Sequence, residues 1–287
     1  MLTVFTPGMG KQQLLAKGVR KIASRKAGHV EPFTHSQLLV AKGSTWGIVT
    51  QAETIQAFRP LREDLLRTSY GYYVAELVDR FTQEGDENRG LFELLVAVLG
   101  WLGGATDLPL LARFFELRLL ALVGYRPQLF QCSRCRADIA PVDNFWSPAD
   151  GGVLCPRCGE GPVGRSANGQ MAADPLPLTA LKVLRFLQTR DWDTSSRLRL
   201  SPALHARLEG HVHRYIVYQL ERNLKSVGFL RTVRRLLASP EGSTAPVWTG
   251  NRSHPGSGVR AGPGAGGRQT RTGGSELASS GQEPHAD

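Results

Sequence analysis

The chain of 287 residues contains four cysteines, all of them between Cys132 and Cys158. They fall as Cys132-Ser-Arg-Cys135, then nineteen residues, then Cys155-Pro-Arg-Cys158-Gly. Two C-x2-C knuckles at this separation have the spacing of a zinc ribbon, in which each knuckle offers two sulfurs to one tetrahedral ion. The run DIAPVDNFWSPADGGVL between the knuckles is too short and too polar to fold unaided. A structural zinc contributes on the order of 10–16 kcal/mol to folding such a peptide, which is enough to decide the matter. Four thiolates leave no open position for a water, so one Zn2+ is expected, structural and not catalytic. The competing reading is two disulfides or four free thiols, but the clustering is an intracellular metal pattern more than a scattered disulfide framework. Gly159 is expected to let the backbone turn close to the sulfurs. Arg134, Arg136 and Arg157, in or beside the knuckles, are read as structural before they are read as phosphate contacts.

Charge is the second constraint. The formal net charge is +10 and the sequence pI about 9.8. That balance favours polyanionic partners, nucleic acid first and an anionic membrane second. The stretch Gly10–Phe33 concentrates it: Lys11, Lys17, Arg20, Lys21, Arg25 and Lys26 occur with no carboxylate before Glu31. Small and apolar residues are interleaved among them, unlike the solid block of a disordered tail. Held along a strand and the loop after it, these side chains would make a groove for a phosphate backbone. The alternative is an ordinary solvated face.

Taken in order, residues 1 to about 57 read as β, with strands expected at Leu2–Thr6, Gln12–Val19, Phe33–Val40 and Trp46–Glu53. Several short strands in so little chain suggest a small barrel, whose closure removes exposed edges. From Pro60 the period becomes helical. One long helix is expected through Phe81, a second over Phe92–Leu102, and a third capped by Asp107, with Pro109 in its first turn and Gly124 as its stop. Leu110, Phe114, Leu117 and Ala121 would be the buried stripe of the third. Helices resume at Pro177–Arg190 and after Ser201-Pro202, an N-cap and N1 pair. In the last, Leu204, Leu208, Val212, Ile216, Leu220 and Leu224 form a buried stripe. Arg207, His211, Arg214, Tyr218, Arg222 and Lys225 flank it as a second basic stripe. The reading is an α+β chain: an N-terminal β module at 1–58, a helical domain at 59–238 with the zinc ribbon inserted at 127–170, and a disordered Gly/Arg-rich tail at 239–287.

Several functions find no support. Gly8-Met-Gly10-Lys11 is not a Walker loop, because the required earlier glycine is Phe5. HExxH and GxSxG do not occur. His211 and His213, two residues apart on a helix, point to different faces. No paired carboxylates suggest acid–base work, and a non-enzyme is expected. No apolar run approaches the roughly 20 residues that cross a bilayer, and no signal peptide is evident, so a cytoplasmic protein is expected.

Ordered motifs carry a resemblance. LTVFTPGMGK (Leu2–Lys11), LAKGVRK (Leu15–Lys21), EPFT (Glu31–Thr34), LREDLLR (Leu61–Arg67), FFELRLLALVGYRP (Phe114–Pro127) and LERNLKSVGFL (Leu220–Leu230) together resemble the bacterial recombination mediator family RecO over about residues 1–238. The resemblance implies an N-terminal OB-fold and a helical domain carrying the cysteine segment. It also implies binding to single- and double-stranded DNA, annealing of complementary strands, and contact with single-strand-binding protein. With RecR, such a protein helps RecA replace that protein in the RecF pathway, at the nucleoid. The family's DNA-binding segment maps onto Lys11, Lys17, Arg20, Lys21, Arg25 and Lys26, and its C-terminal helix onto Arg214 to Lys225. Family members usually carry about twenty residues, including a first strand, ahead of the segment matching Leu2–Thr6. Either the start is misassigned, the expected case, or the OB barrel lacks that strand and an edge is exposed. The Gly/Arg tail is a second departure. The other functional class is a non-catalytic zinc-ribbon adaptor that docks proteins in a nucleic-acid complex.

Overall fold

The computed structural model describes residues 1–21, 24–160 and 173–238. The tail expected at 239–287 and the part of the cysteine insert at 161–172 lie outside the described residues. Strands β1 (Leu2–Thr6), β2 (Gly10–Leu15), β3 (His35–Ala41) and β4 (Gly47–Gln56) form one sheet in the order β1-β2-β4-β3. Two antiparallel hairpins, β1-β2 and β3-β4, are joined where Leu14 and Leu15 run parallel to Gly47 and Ile48. Among the described residues β1 and β3 are the edges of this sheet, which does not close. A groove of about 740 Å3 lies against those edges, lined by Leu2, Val4 and Leu38 and by Tyr72, Leu95 and Leu99 of the helices below.

Gly10 opens β2 at φ +58°, and a Cβ there would fall 1.8 Å from the Asp86 carbonyl oxygen, so only glycine fits this approach. The expected strand Gln12–Val19 ends early, at Leu15. Gly18 at φ +73° and the bonds Val19 N–H to Ala16 O and Lys21 N–H to Gly18 O wind the chain into turns instead. The basic residues after Leu15 therefore sit on a coiled loop, not along a strand.

The expected long helix from Pro60 is two: α1 (Arg59–Arg62) and α2 (Leu65–Phe81). Asp64 breaks it, because its carboxylate accepts from Arg67 N–H at 2.8 Å and caps α2. Phe58, buried at φ 44°, forms the joint between sheet and helices. Asn88 caps α3 (Arg89–Leu102) three residues before the expected start, accepting from Leu91 N–H at 2.9 Å.

In α4 (Leu108–Leu122) the cap is Asp107 as predicted, accepting from Leu110 N–H at 2.9 Å. Leu110, Phe114 and Leu117 are buried, but Ala121 is exposed, in the last turn of the helix. The rest of α4 is buried nearly all round, Arg113 and Glu116 included, because α2, α3, α6 (Leu178–Thr189) and α8 (Pro202–Leu220) all pack on it.

Those two charges are answered by each other and from two other helices, and a third joins the network. Glu116 accepts from Arg113 and from Tyr73 Oη at 2.5 Å; Glu209 of α8 approaches Arg113 at 4.0 Å and holds Arg234 at 2.7 Å. Arg234 also bonds Tyr70. It belongs to α9 (Lys225–Ala238), which the sequence reading merged into α8. The helix breaks at Glu221, whose φ of 51° is left-handed. Glu76 of α2 then accepts from Lys225 N–H at 2.9 Å and Ser226 N–H at 2.7 Å, capping α9 from a distant part of the chain. Desolvation opposes ionisation of Glu76, yet these hydrogen bonds and Arg80 hold its carboxyl below the usual range.

Removing one member of a buried pair leaves the other charge uncompensated, at roughly 3–5 kcal/mol. Glu116→Ala is expected to lower stability by about that amount in urea titration, whereas the exposed Glu93→Ala is expected to lie within about 0.5 kcal/mol of the parent.

Candidate metal centre and basic surfaces

The insert is built on a three-stranded sheet, β6-β5-β7, with β5 at Asn144–Ser147, β6 at Gly152–Leu154 and β7 at Asp174–Leu176. The sheet thus runs past residue 170, because β7 pairs with β5. Helix α5 (Pro156–Glu160) carries the second knuckle. The four cysteine sulfurs lie within 4.8 Å of one another, with Cys135 and Cys155 sulfurs 3.8 Å apart. A disulfide needs about 2.05 Å, and all four cysteines are free. Sulfurs held about 2.3 Å from a central tetrahedral ion stand roughly 3.8 Å apart. The donor set therefore fits one ion held by Cys132, Cys135, Cys155 and Cys158.

The surroundings favour thiolate at Cys132 and oppose it at Cys155 and Cys158. Desolvation opposes ionisation of Cys132, but backbone N–H groups of Cys135, Cys155 and Arg134 bring its thiol down to about 6. Cys158 is pushed up to about 12 by desolvation and by hydrogen bonding among the crowded thiols, a crowding that a cation relieves. Arg134 is structural, as expected: it forks onto Asp150 at 2.7 and 3.0 Å and donates to the Cys158 carbonyl at 3.1 Å. The reason for Gly159 differs from the expected one. It lies in α5 without a positive φ, and a Cβ there would strike the Phe145 ring at 2.2 Å. Trp146, fully buried, joins the insert to α8: its indole N–H donates to the His211 carbonyl at 2.9 Å, and its ring packs on Tyr215 at 5.4 Å.

The basic residues divide. Lys11 lies on β2 and is engaged, its ammonium 2.7 Å from the Asp79 carbonyl and 3.2 Å from the Asp79 carboxylate. Lys26 donates to the Val49 carbonyl at 2.8 Å, pinning the loop to β4. Lys17, Arg20, Lys21 and Arg25 are exposed, and their side chains have no ionic or hydrogen-bond partner among the described residues. Lys11 sits near the start of β2, whereas Lys17 lies past its end, in the turns that follow Leu15. Alongside β2 stands Trp46, which the sequence reading passed over. It is 45% exposed and precedes Gly47, which pairs with Leu14 beside the start of the basic loop. Gly43 closes its turn, since a Cβ there would meet the Trp46 carbonyl oxygen at 2.1 Å. A Lys-Gly-x-x-Trp turn between two strands was the available signal.

The C-terminal set also divides. Arg207 and Arg222 are exposed without a partner among the described residues. Arg214 pairs with Asp174 at 2.8 Å, and Lys225 is exposed at the start of α9. His211 is not part of a cationic stripe: it is buried, and desolvation together with Arg214 pushes it down to about 4. Lys11 binds Asp79 and the Lys225 backbone binds Glu76, so the ends of the two basic sets are anchored one turn apart on α2.

The chain is thus a β module on a helical body that carries a four-cysteine insert, and the comparisons give the particular family. Residues 1–58 match the family description "Recombination protein O N terminal", and residues 62–227 match "Recombination protein O C terminal". The chain is 41% identical to "DNA repair protein RecO" of Roseiflexus sp. (strain RS-1), over 83% of this chain and 81% of that one. It is 38% identical to the protein of the same name from Pelotomaculum thermopropionicum, over 85% and 91%, and 33% identical to that of Dehalococcoides mccartyi strain 195, over 82% and 89%. The chain belongs to the RecO family, and its role lies in DNA repair and recombination. Among the described residues no helix is long and apolar enough to cross a membrane.

Protein purified without chelator is expected to carry about one metal equivalent per chain by elemental analysis. Well under one equivalent contradicts the four-sulfur site.

Proposed function

We propose that this protein is a non-catalytic mediator of homologous recombination that grips the sugar-phosphate backbone of DNA without reading its bases. It binds single and double strands, anneals complementary ones and, with RecR, helps RecA displace single-strand-binding protein in the RecF pathway. Membership of the RecO family supports the assignment, and one observation carries the mechanism: the side chains of Lys17, Arg20, Lys21 and Arg25 share one loop with no ionic or hydrogen-bond partner among the described residues, and Trp46 is exposed just before β4, the strand that pairs with β2. Unpaired cations are free to replace the counterions of a phosphate chain, and an aromatic face can stack on any base. Lys11 and Lys26 act differently on this reading, fastening the loop-bearing strand to its neighbours. The ion is Zn2+, and its role is to fold the insert. The protein works in the cytoplasm, at the nucleoid.

An adaptor that docks proteins through its helical domain is the second reading, favoured by Phe229, Leu236 and Leu237, which lie exposed on α9. The two separate cleanly. With four phosphates neutralised by the loop, the logarithm of the single-strand binding constant should fall against log salt with a slope near −3, at roughly 0.7 per contact. The quadruple variant Lys17→Ala, Arg20→Ala, Lys21→Ala, Arg25→Ala should lose most of that slope and the annealing activity. An adaptor would show a slope near zero, or would keep its function in the variant.

A further inference from the structure

At the end of α8 an open cavity of about 550 Å3 is lined by Tyr125, Tyr218, Glu221, Arg222 and Asn223. Small-ligand pockets run to roughly 300–1,000 Å3, so a base and its sugar fit here. The two tyrosines are 44% and 53% exposed. A single exposed ring is ordinary; two of them on one cavity, beside a guanidinium with no partner among the described residues, form a specific arrangement.

The Tyr125 ring is set in place before any ligand arrives. Gly124 turns at φ +87°, Tyr125 N–H returns to the Leu120 carbonyl at 2.7 Å, and the Tyr215 hydroxyl donates to the Tyr125 carbonyl at 3.1 Å. Phe81 backs the ring at 6.0 Å between centroids. Tyr218 is fixed by the helix that bears it, one turn before the left-handed Glu221. Arg222 follows directly, outside the helix, where its charge is not spent on a carboxylate.

We propose that Tyr125 and Tyr218 form a base-stacking site for single-stranded DNA, with Arg222 taking the adjoining phosphate. Aromatic faces accept any base, so the site adds affinity without sequence preference. It discriminates strandedness instead, because a duplex keeps its base faces stacked inside. Asn223 and Glu221 offer a donor and an acceptor to base edges. This inference rests on the DNA-binding reading above and deepens it, at a place separate from the basic loop.

The test uses the full-length, metal-loaded protein and fluorescence anisotropy with three probes: an oligothymidine, an abasic strand of equal length, and a blunt duplex. Tyr218→Leu and Tyr125→Leu, which keep apolar bulk and remove the ring, should each weaken oligothymidine binding roughly 5- to 100-fold. Abasic and duplex binding should stay within about two-fold of the parent, with the salt slope unchanged, since phosphate contacts are untouched. A strand carrying 5-iodouracil should photocross-link to Tyr125 or Tyr218, a readout that needs no variant. Equal losses on the abasic strand, unchanged oligothymidine binding in both variants, or cross-links confined to other residues would overturn the stacking site. A parent protein that binds none of the three probes sinks the DNA-binding reading too. A parent that binds with the expected salt slope, beside unaffected tyrosine variants, sinks only this inference.

Discussion

Glu116 has no exposed surface, and its charge is met by Arg113 one turn back on the same helix and by the Tyr73 hydroxyl brought from α2. Desolvation raises its carboxyl above the usual range even with Arg113 and the Tyr73 hydroxyl lowering it again. A buried ion pair contributes little net stability, but it penalises every packing that separates its partners. Here the partners come from α2, α4, α8 and α9. The helical body is therefore specified by one ionic knot as well as by apolar burial. Tyr70 and Arg234, at its edge, extend the same constraint to the last described helix.

What could be read from the sequence follows from how far each cause reaches along the chain. Asp107 and Ser201 were legible as caps because a cap acts within three residues. The four strands of the first module were legible from turn signals, and the four cysteines from spacing alone. The break between α1 and α2 was also local, but Asp64 is embedded in an apolar periodicity that runs straight through it. The separate identity of α9 was hidden, because its cap is Glu76, 149 residues upstream of Lys225. His211 looked cationic from its spacing beside arginines, whereas burial against the insert keeps it neutral. Gly159 was noticed for backbone freedom, but its cause is a ring that arrives from β5.

The same distinction divides the positive residues. Composition counts Lys11 and Lys26 with the rest, yet folding gives each an internal acceptor. The cations of that stretch left over, Lys17, Arg20, Lys21 and Arg25, are on turns and bends, where no described neighbour supplies their side chains a carbonyl or carboxylate. Trp46 and Tyr125 escaped notice for the complementary reason. An isolated aromatic in a sequence reads as core, and only the folded chain leaves these two in water.

The joint at Phe58 has a mechanical consequence. A bulky ring in left-handed backbone persists only where its packing overdetermines it, and Phe33, at φ 59° and edge-on to Tyr72 at 4.8 Å, is a second such point on the same seam. Two rivets of this kind resist rotation at the seam more than a glycine joint would, and so favour one spacing between β2 and the end of α8, as on a gauge block. A ligand that touches both ends must bring its own slack. An unpaired strand has it, while a stiff duplex reaches both only where its own spacing happens to match.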